Sequence, residues 1–167
     1  MEELKQKIRN VPDFPKAGIG FKDITTLIKD GQAFKKAIDI ISNQYDPDEI
    51  DIIVGIESRG FIFASALAYK HRKGFVKIRK SGKLPNIADQ IDYGLEYGQS
   101  TLEMQKGDHT RLFILDDLIA TGGSMGAAAE LAQRVGYRVM GLAALVNLES
   151  LNNFTWQGMA CRSVLKF

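Results

Sequence analysis

Residues 112–124 read Leu-Phe-Ile-Leu-Asp-Asp-Leu-Ile-Ala-Thr-Gly-Gly-Ser, and no other run constrains the fold so tightly. Its first four residues are uninterrupted apolar side chains, the pattern of a strand buried on both faces. Two carboxylates follow, then a glycine-rich loop, then an alanine-rich helical stretch over residues 125–135. A doubly buried strand passing through a tight loop into a helix is a unit of a parallel sheet covered on both sides. In such sheets ligands collect beyond the carboxyl ends of the strands. The strand is therefore expected to end at Leu115, with Asp116 and Asp117 just past it.

The rest of the chain keeps the same rhythm. Residues 51–56, 75–78 and 139–146 are further buried strands, and residues 163–165 suggest a short edge piece. Between them, Phe34, Ala37, Ile38, Ile41 and Tyr45 share one helical face, and residues 61–69 continue as a second helix. The expected fold is α/β: a doubly wound, mainly parallel central sheet flanked by helices. Two segments break the pattern. Residues 10–26 carry Pro12, Pro15, Gly18 and Gly20 and suggest an extended loop, a small hood. Residues 81–105 carry Gly82, Pro85, Gly94 and Gly98 without helical period, and suggest a flexible hairpin over the site.

The chain has 167 residues, suited to one domain over 1–167 that buries roughly 70% of its extended-chain surface. Its net charge of +2 is too small for a nucleic-acid footprint. The one cysteine, Cys161, offers no intramolecular disulfide. The charged start, residues 1–10, is not a signal peptide, and no apolar run reaches the ~18 residues of a membrane span. These features point to a cytoplasmic protein.

The chemistry of residues 116–124 follows from what each group can face. Gly122 and Gly123 let the backbone turn tightly and expose amides, and the helix start beyond them adds a positive dipole end suited to phosphate. Ala120 begins this loop, and Thr121 and Ser124 add hydroxyl donors. Asp116 and Asp117 would repel the same phosphate, so they suit vicinal hydroxyls, a metal ion or developing positive charge on a sugar. Together the two halves describe a ribose 5-phosphate. The plainer alternative is a diglycine turn with Asp116 as a helix cap.

This run resembles the PRPP-binding motif of the type I phosphoribosyltransferases, and further segments narrow the likeness to the adenine phosphoribosyltransferase family. Residues 14–25, from Phe14 through Ala17 and Gly18 to Thr25, resemble that family's purine-site segment. Residues 55–63, centred on Ser58, Arg59 and Gly60, resemble its diphosphate loop. Residues 79–85 and the run Leu95-Glu96-Tyr97-Gly98 match its mobile hood. The matches occur in family order and cover most of residues 12–148.

The resemblance implies transfer of a phosphoribosyl group from PRPP to adenine, giving AMP and diphosphate, with Mg²⁺ bound mainly by PRPP rather than by protein ligands. It implies a homodimer, with no nucleic-acid or membrane partner. Ala120, Thr121, Gly122, Gly123 and Ser124 would hold the phosphate, and Asp116 and Asp117 the sugar's hydroxyls and developing charge. Ser58, Arg59 and Gly60 would meet the diphosphate, although a surface salt bridge is the alternative for Arg59. Arg79, Lys80 and Lys83 form a basic cluster at the base of the hood, suited to the departing diphosphate of the same or a neighbouring subunit.

Glu96, with Tyr97 beside it in the hood, would stabilise an oxocarbenium-like state or manage a purine proton; a half-exposed strand residue is the alternative. Around the base, Phe21 offers a stacking face, and the backbone of Gly20, Phe21 and Lys22 offers carbonyls that accept from adenine's amine but not from a keto oxygen. Phe21 is equally suited to a core. Ala17 stands where the family usually has proline and Gly20 where it has an apolar residue, and both loosen this pocket. His71 and His109 match no motif and read as surface residues. Two other functions compete: a phosphoribosyltransferase for hypoxanthine or guanine, and a non-catalytic PRPP or nucleotide sensor.

Overall fold

The computed structural model describes residues 1–95 and 98–167. The parallel core consists of β3 (Ile52–Ile56), β4 (Gly74–Lys80), β7 (Arg111–Ile119), β8 (Arg138–Asn147) and β10 (Met159–Lys166). Period-two alternation assigns their side chains to opposite faces. Ile53, Phe113, Leu115, Ala143 and Leu145 enter one apolar cluster, while Val54, Ile56, Leu112, Ile114 and Leu142 enter the other. Helices α3 (Gly31–Ser42) and α4 (Gly60–His71) cover the first face, with short α1 (Glu2–Gln6) and α2 (Thr25–Lys29) beside them. Helix α5 (Gly123–Arg134) covers the second. This is the doubly wound α/β arrangement expected from the alternation of strands and helices.

Among the described residues the sheet runs β5-β6-β4-β3-β7-β8-β10-β9, where β5 is Ile87–Leu95, β6 is Gly98–Gln105 and β9 is Thr155–Trp156. All four ladders from β4 across to β10 are parallel. The hairpin of β5 and β6 extends the sheet antiparallel through Arg79↔Glu103 and Lys80↔Leu102. The expected hairpin is thus present, and it is part of the sheet.

Three expectations change. Strand β7 does not stop at Leu115, because β8 beside it continues to Asn147 and keeps the ladder going through Asp116↔Ala144 and Leu118↔Val146. Asp116 and Asp117 therefore lie inside a buried strand. The piece at residues 163–165 is longer than expected: it belongs to the eight-residue β10, whose start pairs with the two-residue β9 through Met159↔Trp156 and Ala160↔Thr155, while Ser163 and Leu165 pair with β8. Residues 10–26 are not all loop. Strands β1 (Arg9–Val11) and β2 (Phe21–Asp23) pair antiparallel, the Arg9 guanidinium bridges Asp23, and the same carboxylate accepts the Thr25 amide ahead of α2.

Candidate active site

From β3 the chain passes through α4 to β4 on one side, and from β7 through α5 to β8 on the other. Adjacent β3 and β7 are thus the switch point of the sheet, where the two connections diverge and leave a crevice at the carboxyl ends. Both segments expected to meet phosphate open there: residues 57–60 after β3, and residues 116–124 along and after β7.

The two strand ends touch. A Cβ at Gly60 would lie 2.7 Å from Asp116 Oδ1 and 3.0 Å from the Leu115 carbonyl, so only glycine lets α4 start this close to β7. Arg59 Nη2 lies 2.9 Å from Asp117 Oδ2, and its guanidinium sits 4.8 Å from the centre of the Phe21 ring. One side chain therefore links the segment after β3, a carboxylate of β7 and the segment expected at the base. Ser58 is exposed beside it.

Asp116 and Asp117 are both buried. Burial pushes the Asp116 carboxyl well above the ordinary range, and the adjacent Asp117 charge adds to this. Burial also raises Asp117, against the pull of Arg59. Asp116 Oδ1 accepts the Asp117 amide at 2.8 Å. Burial and mutual repulsion both work against the doubly charged pair, and a positive charge nearby would offset both.

Arg79, Lys80 and Lys83 do cluster, but around a residue the sequence reading did not single out. Glu57, whose side chain is 6% exposed, receives Lys83 Nζ at 2.6 Å, Arg79 Nε and Nη2 at 3.3 Å each, and the Lys80 amide at 2.8 Å. Burial works to raise its pKa, yet Lys83, Arg79 and the amide outweigh this and hold it at about 2. A second buried carboxylate, Glu103 on β6, accepts the Ser81 hydroxyl and the Gly82 amide at 2.8 Å each. The basic segment is thus seated on two acids. An acid placed directly before the Ser-Arg-Gly run was the available signal for Glu57; Glu103 had none.

The loop after β7 turns at Gly122, whose φ is 91°. A Cβ there would press to 2.4 Å from the Phe154 ring, and one on Gly123 would meet the Gly94 carbonyl at 3.0 Å. The hairpin therefore passes directly over the glycine loop. Asn152 and Phe154, which back this loop, were not foreseen, because they arrive from beyond β8. Glu96 and Tyr97 lie outside the described residues.

On the base side, Phe14 meets Phe21 edge-on with centroids 5.1 Å apart. Phe21 is half-buried and faces both Phe14 and Arg59. The Lys22 ammonium turns away to the Phe167 ring, 4.3 Å from its centre, so only the backbone of Lys22 remains for a base. A Cβ on Gly20 would meet nothing closer than Asn10 Oδ1 at 3.5 Å, so this glycine is not required sterically. His71 is not a free surface residue: its Nε2 lies 2.6 Å from Ser42 Oγ, and it is half-buried between α3 and α4. His109 is exposed.

Comparison with known proteins agrees with this geometry. Residues 25–153 match the phosphoribosyl transferase domain model. Adenine phosphoribosyltransferase of Hydrogenovibrio crunogenus is 56% identical over 98% of this chain and 96% of its own length. The chain belongs to the adenine phosphoribosyltransferase family. Crystal structures of family members superpose closely. That from Thermoanaerobacter pseudethanolicus has a TM-score of 0.90 at 40% identity, covering 99% of both chains. That from Giardia lamblia, complexed with 9-deazaadenine, has a TM-score of 0.89 at 31% identity, covering 99% of this chain and 97% of its own. The domain match begins after residues 14–21, so the base-side segment is covered only by the full-length likeness. These relatives do not favour the sensor or the hypoxanthine/guanine reading.

Proposed function

We propose that this protein transfers the 5-phosphoribosyl group of PRPP to adenine, forming AMP and releasing diphosphate, for purine salvage. The observation that carries the reading is the convergence at the β3–β7 switch point. A glycine loop opening a helix, two buried carboxylates and a guanidinium reaching Phe21 meet in one crevice. A relative in this family is known with an adenine analogue bound, which supports the base.

In this reading Ala120, Thr121, Gly122, Gly123 and Ser124 cradle the 5-phosphate with loop amides, hydroxyls and the start of α5. Asp116 and Asp117 face the ribose hydroxyls and stabilise positive charge at the anomeric carbon as its bond to diphosphate breaks. Ser58, Arg59 and Gly60 receive the diphosphate, together with Lys80 and with Arg79 and Lys83, whose cations Glu57 holds nearby. Glu96 and Tyr97 complete the hood, with Glu96 managing the purine proton or the developing charge. Phe21 stacks on the base, and the backbone of Gly20, Phe21 and Lys22 selects its amine.

Among the described residues no group of three or more His, Cys, Asp or Glu converges as a metal cage. The Asp116–Asp117 pair, with Arg59 already on it, fits an ion that arrives on PRPP; bound there, Mg²⁺ would neutralise diphosphate charge. We further propose that residues 1–167 act as one domain, since Leu4 and Leu165 enter the same apolar cluster. Exposed Ile62, Tyr69 and Phe75 on α4 and β4 supply apolar area suited to a homodimer. Among the described residues no helix is long and apolar enough to cross a membrane. A cytoplasmic setting suits the free thiol of Cys161.

The test is competition among free bases with diphosphate release as the readout. Adenine should be turned over in preference to hypoxanthine and guanine. Turnover of guanine with none of adenine would overturn the base assignment, and PRPP binding without diphosphate release would restore the sensor reading.

A further inference from the structure

The loop Ala120–Ser124 is backed by a side chain from the segment after β8. Asn152 Nδ2 donates to the Ala120 carbonyl, its shortest contact, and also to Asn147 Oδ1 at 3.0 Å and the Leu148 carbonyl at 3.1 Å. Its Oδ1 accepts the Phe154 amide at 3.1 Å, and the Phe154 ring is the surface that a Cβ on Gly122 would strike. Asn152 thus uses both ends of its amide, and only an uncharged donor-acceptor group of this length can serve both.

The consequence lies in the peptide plane. Residues 120 and 121 are joined by a trans peptide, so the Ala120 carbonyl and the Thr121 N–H point in opposite directions. When Asn152 draws the carbonyl back towards β8, the Thr121 N–H is turned the other way. Among the described residues that N–H has no hydrogen-bond partner. Thr121 is exposed on the open side of the loop.

We propose that Asn152 is a positioning residue for the phosphoryl end of PRPP, aiming the Thr121 amide into the phosphate cradle by holding the Ala120 carbonyl behind it. The inference rests on the reading of residues 120–124 as that cradle. An amide already aimed loses little freedom when the phosphate arrives, and a charge-assisted hydrogen bond is then gained almost whole. Phe154 supports the same plane from below by blocking collapse of the loop at Gly122.

Steady-state kinetics of Asn152→Ala and Asn152→Asp test the role. Asp keeps the length and the acceptor for Phe154 but loses both N–H donors, which the three acceptors share. In both variants KM for PRPP should rise about tenfold, the size of one charge-assisted hydrogen bond, with KM for adenine within about twofold and kcat at saturating PRPP little changed. A merely structural role would lower thermal stability and move both KM values together, which would overturn the proposal. The unaltered protein supplies a second measurement that needs no variant to fold. In a ¹⁵N-labelled sample titrated with AMP, the Thr121 amide should shift strongly, along with Gly123 and Ser124. Shifts at Gly123 and Ser124 without Thr121 would sink the role of Asn152 and leave the cradle standing. No shift anywhere in residues 120–124 would sink the cradle itself.

Discussion

The phosphate side and the base side of the crevice are built by different means. Residues 112–117 are buried one after another in a strand laddered on both sides, and the loop that follows is tied by Asn152, packed by Phe154 and roofed by the hairpin. Residues 12–18, by contrast, are all exposed, and the base-side corner hangs on the three-residue pairing of β1 with β2, the Arg9–Asp23 bridge and the edge contact of Phe14 with Phe21. The first arrangement inherits its rigidity from the sheet. The second depends on a few separable contacts. Arg59 reaches both, through Asp117 and Phe21.

The largest expected effect comes from breaking the rigid side. Gly123→Val would drive its side chain against the Gly94 carbonyl and into the cradle. PRPP affinity should fall more than about a hundredfold, or ~3 kcal/mol, with the sheet still folded. Titration calorimetry and the thermal midpoint check this, and unchanged affinity would count against the placement of the cradle. Next is the link itself. Arg59→Met leaves the Asp117 carboxylate buried and unpaired, costing about 2 kcal/mol, less than a fully buried pair because Arg59 is 33% exposed. It should also raise KM for both substrates; a change in only one would show that the two sides are not joined through this residue.

A pH series separates the sides by sign. Asp23 is held at about 2 by bonds from the Thr25 side chain and amide and from Arg9, so its contribution is present above 3.8 and is lost as pH falls towards 2. Asp116 is raised by burial and by Asp117, so its contribution is present below 3.8 and is lost as pH rises through its folded value. Acidification should therefore lower amide protection, relative to the intrinsic rate at each pH, in β2 before it does so in β7. The reverse order would contradict the contrast. The smallest effect is expected at Gly20→Val, where a Cβ has ordinary room. Stability should change by under about 0.5 kcal/mol, and KM for adenine should fall while KM for PRPP holds.

Much of the fold was legible because its signals are local. Strand patterns at β3, β7 and β8, helical faces in α3 and α5, and the diglycine loop depend on neighbours close in sequence. What escaped notice comes from distant partners. Glu57 and Glu103 matter because β4 and the residues after it bring cations and amides to them; only Glu57, directly before the Ser-Arg-Gly run, carried any local mark of this. The true end of β7 depends on how far β8 runs beside it. The Lys22 backbone was the part expected at the base, and the ring that takes its ammonium, Phe167, lies 145 residues further along.

The sequence by itself determined that a buried strand carrying paired carboxylates feeds a glycine loop that opens a helix, since apolar runs and glycine freedom act over a dozen residues. Only the tertiary structure decided which other strand stands beside it. The β3–β7 adjacency puts Gly60 against Asp116 and Arg59 on Asp117, and it brings Asn152 behind Ala120. Those contacts set charge, burial and amide direction. All three are properties of chain segments meeting in space, and no single segment carries them alone.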